Sequence, residues 1–465
     1  MKPHNIILLT DSYKISHYKQ YPPKTQNVYS YFESRGGRFK EVVFFGLQYY
    51  LKEYLAGEVV TKKKIDEAEE FCAAHFNSSF VFNRTGWEYI VDAHKGRLPI
   101  KIKAVPEGLS VPTHNVLMTV ENTDMNCYWL TNYLETLLVQ VWYGCSVATQ
   151  SREIKRLILD YLVETGTPEL IDFKLHDFGF RGVSSVESAK VGAAAHLINF
   201  MGTDTLVGLT FIRDYYESSQ MWGFSIPAAE HSTITSWGEE NEALAYENIL
   251  RQYPTGTVAV VSDSYDIYHA CEHLWGEVLR KEVLEREGTL VIRPDSGNPK
   301  DVVLRVIEIL GQKFGYELNR KQFKVLNPKV RVIQGDGVSY ETIEEVLQTL
   351  KQNGWSADNI SFGMGGALLQ KLDRDTQRFA FKCSSVTIQN QEREVFKRPI
   401  TDNGKHSKRG RLKLIKVGET FKTVSQNDAG DDILQTVFEN GEIRRTYSFD
   451  EVKRHAALTL PVSSL

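Results

Sequence analysis

At about 150 residues per domain, the 465-residue chain has room for two or three domains, and its 42% hydrophobic and 25% charged content excludes wholesale disorder. A formal charge of −4 removes the global basicity expected of a nucleic-acid binder, and no apolar run approaches membrane-spanning length. Five scattered cysteines (Cys72, Cys127, Cys145, Cys271, Cys383) with no CxxC pair argue against a disulfide scaffold, and the early apolar run Ile6–Leu9 is too short for a signal-peptide core, so a cytoplasmic enzyme is expected.

Val28–Phe32 and Glu41–Phe45 read as strands, and Thr61–Phe76 as a helix behind a threonine cap. Leu98–Val105 alternates apolar and polar residues, Asn115–Val120 resembles a further strand, and Tyr128–Tyr143 reads as one buried helix. From Ser146 the pattern changes: short apolar runs end in small or charged residues and lead into helical periodicity. Phe173–Leu175, Val258–Val261, Leu290–Ile292, Arg331–Ile333 and Ile360–Phe362 are the predicted strands, followed by helices near Ser185–Phe200, Tyr265–Leu279, Asp301–Leu310, Glu341–Leu350 and Leu368–Leu372. Such a series implies a parallel sheet, most economically closed as a barrel with its loops at one face. Beyond Phe381 the strand-like pieces Gly410–Ile415 and Ile433–Phe438 alternate with polar turns. An α/β barrel over 146–384 is therefore expected, with 1–145 and 385–465 forming one discontinuous, sheet-rich domain.

Chemistry concentrates at the strand ends. The loops Gly335–Gly337 and Gly363–Gly366 follow strands and precede helices, where backbone amides can approach a phosphate; the same glycines would also serve a tight turn. There is no GxxxxGK[ST] loop. Asp263, Asp295 and Asp336 each follow a strand, placed either to grip ribose hydroxyls or hydrated magnesium, or to cap a helix. Asp295 and Asp336, beside Arg293 and the glycine loop, read as functional, whereas Asp263 fits either role. His176–Gly182 (HDFGFRG) and Pro227–Thr233 (PAAEHST) place histidines at further strand ends, with His231 next to Glu230; a lone histidine is more often structural, and an oriented neutral imidazole could instead act as a nucleophile towards phosphate. His269–His273 fits the HxxEH zinc pattern, but Tyr268, Cys271 and Trp275 form an apolar stripe and no third ligand motif is adjacent, so a structural helix is expected. The basic segment Lys397–Lys416 fits a solvated face, a nucleic-acid patch or a polyphosphate clamp, and it lacks the interleaved aromatics of a single-strand platform.

The strings TDSYKISHYKQYPP (Thr10–Pro23), HDFGFRGVSS (His176–Ser185), GTDT (Gly202–Thr205), PAAEHSTIT (Pro227–Thr235), VSDSYD (Val261–Asp266), IRPDSGNP (Ile292–Pro299), VIQGDG (Val332–Gly337), FGMGG (Phe362–Gly366) and SKRGRL (Ser407–Leu412) together resemble the nicotinamide phosphoribosyltransferases. They stand in the family's order over nearly the whole chain. One departure is Phe180, where the family carries tyrosine. The resemblance implies an irregular parallel α/β barrel of the type II phosphoribosyltransferase kind beside a sheet-rich domain, in a homodimer with active sites at the interface. It implies the transfer of phosphoribosyl from phosphoribosyl diphosphate to nicotinamide, giving the mononucleotide and pyrophosphate. Magnesium accompanies the diphosphate, held mainly by it and by water, and ATP is a coupled co-substrate through a phosphohistidine. The rival within the architecture is nicotinate phosphoribosyltransferase.

By the same resemblance Phe178, Asp204 and Arg293, with Tyr13 and Asp11, bind nicotinamide. Arg181, Arg293, Asp295, Gly335, Asp336, Gly365 and Gly366, with Arg35, Arg374, Lys382, Lys397 and Lys405, bind the phosphoribosyl and diphosphate groups. His231 takes the phosphoryl group, with Glu230 or Asp263 to orient its imidazole, and Asp295 is counted with these three as catalytic. Tyr13 and the cations Arg35, Arg374, Lys382 and Lys397 are expected to come from the partner subunit.

Overall fold

The computed structural model describes residues 4–401 and 406–458, which form two compact units. The first comprises 4–149, 212–218 and the described part of 373–456; the second comprises 150–211, 219–372 and 457–458.

The first unit is built on a seven-stranded antiparallel sheet that draws on both ends of the chain. Its order is Gln391–Glu394, Phe379–Ile388, Thr25–Ser34, Val116–Asn122, Ile100–Ala104, Gln435–Glu439 and Glu442–Ile443. Thr25–Ser34 is an interior strand, paired on one side with Phe379–Ile388 (Phe32 opposite Phe381) and on the other with Val116–Asn122. The alternation noticed in Leu98–Val105 is realised in Ile100–Ala104, where Ile100, Ile102 and Ala104 are buried and the two lysines between them are half-buried. Thr61 caps Lys62–Phe76 through its hydroxyl, as its position before the periodic run requires. Tyr128–Tyr143 is not the single helix expected. It breaks into Leu130–Tyr133 and Glu135–Val139 before the long helix Trp142–Thr165 begins. The cause is tertiary: Trp129 and Tyr133 pack edge-on against Trp87 with ring centroids 4.8 and 5.1 Å away, and Thr131 Oγ1 donates to Val28 O at 3.0 Å. These contacts pin successive short turns to the sheet where propensity alone would run on.

The second unit contains the parallel sheet. Its six strands run in the order Gly202–Thr203, Leu175–Asp177, Ile360–Met364, Val330–Gln334, Glu287–Arg293 and Thr255–Val261. Every pairing is parallel. The segment between Phe224 and Ala228 bridges both edges, pairing in parallel with Gly202 at one end and with Ala259 at the other. The ring is thereby closed by extended chain rather than by two further full strands, which gives the irregular α/β barrel. Helices Val186–Leu197, Pro299–Phe314 and Tyr340–Gln352 follow the strands, the first and last capped by Ser185 and Ser339. Strand Leu175–Asp177 begins where the expected Phe173–Leu175 ends, because Pro168–Phe173 is taken up in a 3-10 helix. Among the described residues no helix is long and apolar enough to cross a membrane.

Candidate active site

The carboxyl ends of the barrel strands surround a cavity of about 740 Å³ lined by Phe178, Arg181, Asp204, Glu230, His231, Arg293, Asp295, Gly335, Asp336, Gly365 and Gly366. Each residue sits there for a local reason. Phe178 follows strand Leu175–Asp177 and donates its N–H to Met364 O at 3.1 Å. Its ring lies against the backbone of Gly363, where even a Cβ would fall 1.9 Å from Phe178 Cε2, so only glycine is compatible with this ring position. The ring also packs on Ala259, Val291 and Ile333 from three other strands. Asp204, just beyond the short strand Gly202–Thr203, accepts a 2.6 Å hydrogen bond from Ser225 Oγ on the closing segment. Gly366 borders open space, with no atom within 4 Å of where a Cβ would stand; packing does not explain the glycine, but the approach of a ligand to its amide would.

His231 begins the short helix His231–Thr235, with its side chain 45% exposed to the cavity. Its Nδ1 faces Ser264 Oγ at 3.1 Å, while Nε2 lies 3.7 Å from Asp263 Oδ1 and 3.5 Å from Asp295 Oδ2. Asp263 is nearly buried, and its Oδ2 accepts from Asp295 N (2.9 Å) and Ser296 Oγ (2.5 Å), which ties two strand-end loops together. Its Oδ1 is buried without a hydrogen-bond partner and points at the imidazole face of the site. Glu230 does not hold the imidazole; its carboxylate accepts from Ser232 Oγ instead. Arg293 Nε stands 3.9 Å from Asp295 Oδ1 and is itself buried without a hydrogen bond.

A further cavity of about 430 Å³ occupies the barrel interior and shares Phe178, Asp204 and Arg293 with the first. Thr257, Ala259, Thr289, Val291, Ile333 and Ser361 line it from alternate positions along their strands. Among them Thr257, Ala259, Thr289 and Ser361 are small where bulkier branched residues usually fill such barrels, which leaves part of the interior open. Lys174 also lines it, and Lys174 Nζ donates to Ala357 O, Asp358 O and Ile360 O at 2.9, 3.1 and 2.9 Å. Burial pushes the Lys174 pKa down to about 7.

The remaining expected residues lie in the first unit, around a cavity of about 1130 Å³ lined by Asp11, Tyr13, Arg35, His114, Glu135, Arg374, Arg378, Lys382 and Lys397. Tyr13 is 58% exposed, and Asp11 accepts from Thr136 Oγ1 at 2.7 Å. Arg35 is held by Glu33 at 3.0 Å. The loop bearing it is laced to the loop bearing Arg374 and Arg378: Arg35 N donates to Arg378 O (3.1 Å) and Arg38 N to Thr376 O (2.9 Å). Gly37, at φ 151°, lies so close that a Cβ would stand 2.2 Å from Thr376 O. The fully buried Gln377 locks the two loops, accepting from Phe39 N at 2.8 Å and donating to Phe39 O at 3.1 Å. Burial lowers the Lys382 pKa; Glu135 opposes this, while Arg35, Lys397 and Arg374 add to it. Lys405 lies outside the described residues.

Ser225, Ser264, Gln377, His114 and Arg378 were not singled out from the sequence. Small polar residues in loops carry no spacing signal, although the two arginines flanking Thr376 and Gln377 offered a hint. The His269 and His273 rings lie 5.0 Å apart at a tilt of 40°, His273 pairs with Glu277 at 3.1 Å, and among the described residues no third His, Cys, Asp or Glu completes a ligand group with them. Cys271 and Trp275 are buried as expected, but Tyr268 is exposed and lies outside their stripe.

A closed parallel barrel with an aromatic ring, glycine loops, carboxylates and arginines gathered at the carboxyl ends of its strands has the architecture of a type II phosphoribosyltransferase. Residues 173–442 match the nicotinate phosphoribosyltransferase (NAPRTase) family, and residues 5–102 match the N-terminal domain of nicotinamide phosphoribosyltransferase. The chain is 52% identical to a nicotinamide phosphoribosyltransferase of Xanthomonas campestris pv. campestris, over 97% of this chain and 98% of that protein. It is 32% identical to one from Acinetobacter baylyi, over 97% and 96% of the two chains. The chain belongs to the nicotinamide phosphoribosyltransferase family. Its fold is shared with nicotinate-nucleotide pyrophosphorylase from Pyrococcus furiosus (TM-score 0.62, 16% identity, covering 98% of this chain and 96% of that one). It is also shared with human nicotinic acid phosphoribosyltransferase (TM-score 0.53, 14% identity, 97% and 93%).

Proposed function

We propose that this chain transfers the phosphoribosyl group of phosphoribosyl diphosphate to nicotinamide, releasing pyrophosphate, in NAD salvage. The observation that carries the reading is the pairing of the Phe178 ring, seated on Gly363, with the Asp204 carboxylate at the same cavity wall. The pyridine nitrogen attacks ribose C1 with its own lone pair, so no general base is required, and positioning with electrostatics carries the catalysis. Phe178 presents one aromatic face to the ring as it becomes a pyridinium, a cation–π gain of about 1 kcal/mol. Asp204, held by Ser225, accepts from the carboxamide NH2 and repels the carboxylate of nicotinate. Asp295 and Asp336 take ribose hydroxyls, Arg181 and Arg293 donate to phosphate or the carboxamide carbonyl, and the amides of Gly365 and Gly366 take the 5′-phosphate.

In this reading a homodimer completes the site. Tyr13 of the partner subunit covers the other ring face, and Arg35, Arg374, Lys382 and Lys397 of the partner subunit surround the diphosphate. That cationic cavity, otherwise without an evident purpose on the first unit, supports this part of the proposal. Magnesium fits the donor chemistry: Asp263, Asp295 and Asp336 offer hard oxygens, one of them a buried carboxylate oxygen without a hydrogen-bond partner. When bound through diphosphate and water it would neutralise charge on the leaving group.

ATP coupling through phosphorylated His231 is the finer part of the proposal. The imidazole is open to the cavity, with Ser264 Oγ at hydrogen-bond distance from Nδ1 and the carboxylates of Asp263 and Asp295 3.7 and 3.5 Å from Nε2. The test is mononucleotide formation with nicotinamide and with nicotinate, each with and without ATP. A preference for nicotinate defeats the substrate assignment, and a His231→Ala variant that keeps full ATP coupling defeats the phosphohistidine.

A further inference from the structure

Asp177 is a fully buried acid between Phe178 and Asp204, and it lines neither cavity. Its bonds run in both directions. Asp177 Oδ1 accepts from Gly179 N at 2.7 Å, which turns the chain around Phe178. Asp177 Oδ2 accepts from Thr203 Oγ1 at 3.0 Å, and the Asp177 carbonyl accepts from Asp204 N at 3.0 Å. Thr203 Oγ1 in turn accepts from Thr205 N at 3.0 Å, so the bonds reach both neighbours of Asp204.

Strand Gly202–Thr203 has two residues, and its ladder to Leu175–Asp177 has two register pairs, His176 with Gly202 and Asp177 with Thr203. On its other side the backbone is tied to the closing segment, with Gly202 bridged to Phe224 and Thr203 N donating to Phe224 O at 3.1 Å. The carboxylate of Asp177 adds the side-chain bonds that tie the turn at Phe178 to the turn at Asp204. Burying an acid is costly, and desolvation raises the Asp177 pKa above the ordinary aspartate range. A neutral polar residue could have served as a turn former, so the retained carboxylate, able to accept on both oxygens, points to a geometric task.

We propose that Asp177 is a positioning residue that sets the separation between the Phe178 ring and the Asp204 carboxylate, and with it the fit of the pyridine substrate. The inference rests on the reading that Phe178 and Asp204 hold nicotinamide. Asp177→Asn keeps an acceptor for Gly179 N but turns an NH2 towards Thr203, and Thr203→Val removes both the bond to Asp177 and the acceptor of Thr205 N with little change of shape.

Steady-state kinetics of the full-length enzyme, with thermal melts alongside, separate positioning from mere stability. Either variant is expected to raise KM for nicotinamide about 10-fold or more while leaving KM for phosphoribosyl diphosphate within about 2-fold, since a displaced ring slot leaves the phosphate contacts in place. Thr203→Ser, which keeps the hydroxyl, should restore near-native values and covers the case in which Asp177→Asn does not fold. Phe178→Ala and Asp204→Asn serve as references. If these two leave KM for nicotinamide unchanged, the underlying site reading fails. If they raise it while Thr203→Val does not, or if both substrates' KM values rise together, the positioning role of Asp177 is overturned.

Discussion

Replacing Asp204 by asparagine keeps the side-chain shape and removes its charge, which isolates the electrostatic part of pyridine selection. Ser225 Oγ holds one Asp204 oxygen at 2.6 Å, so the carboxylate is oriented before any substrate arrives. A nicotinate carboxylate about 4 Å away would meet a repulsion of about 4 kcal/mol at an effective dielectric near 20. Asp204 is exposed in the open cavity, so solvent screening reduces this to about 2 kcal/mol, or roughly 30-fold. The variant also exchanges a charge-assisted hydrogen bond to the nicotinamide NH2 for a neutral one, a loss of about 1 kcal/mol or roughly 5-fold. Together these move the ratio of kcat/KM values towards nicotinate by about 100-fold, mostly through relief of the poor substrate. The assay is mononucleotide formation with each pyridine at saturating phosphoribosyl diphosphate and magnesium. A ratio within about 2-fold of the parent enzyme would refute the argument, because the charge would then have no part in selection.

Gly363→Ala places a methyl group 1.9 Å from Phe178 Cε2, so the ring must leave its seat; KM for nicotinamide should rise at least about 10-fold and stability should fall by about 1–3 kcal/mol, read by kinetics and denaturant melts. Lys382, with a pKa below the ordinary lysine value, is charged at low pH and loses its proton earlier as pH rises. The affinity for phosphoribosyl diphosphate should therefore decline on the alkaline side, and Lys382→Arg should move that decline to higher pH in a KM profile. Lys174→Met leaves three buried carbonyls without their donor and should cost about 3 kcal/mol in urea unfolding. Because the folded Lys174 pKa, near 7, lies below that of the unfolded chain, the unfolded state binds the extra proton above that pH. Stability should accordingly rise as pH increases from about 7, and the methionine variant should flatten that rise.

The legible part of the fold followed from short-range grammar. Asp263, Asp295, Asp336 and Gly365 each stand within two residues of the end of a short, largely apolar strand, and all four strands are parallel. Thr61 announced its helix because a cap acts within a single turn. Other features depended on partners far along the chain. The break-up of Tyr128–Tyr143 arises from Trp87 and Val28, and the closure of the barrel depends on Phe224 and Ala228 meeting Gly202 and Ala259. Neither pair of partners leaves a periodic trace.

The same division runs through the site. His231, Phe178, Asp204 and Arg293 could be named from their motifs because the identity of a reactive or charged side chain is written locally. The direction each one faces is not. That Glu230 turns to Ser232, that Asp263 and Asp295 instead approach the imidazole, and that Ser225 orients Asp204 are outcomes of which strand ends become neighbours. Residue order supplied the chemical groups and the parallel-strand grammar that gathers them at one rim. Their distances and partners, and the hollow interior behind Phe178, came from long-range packing, since a contact between residues far apart in the chain exists only once the barrel has closed.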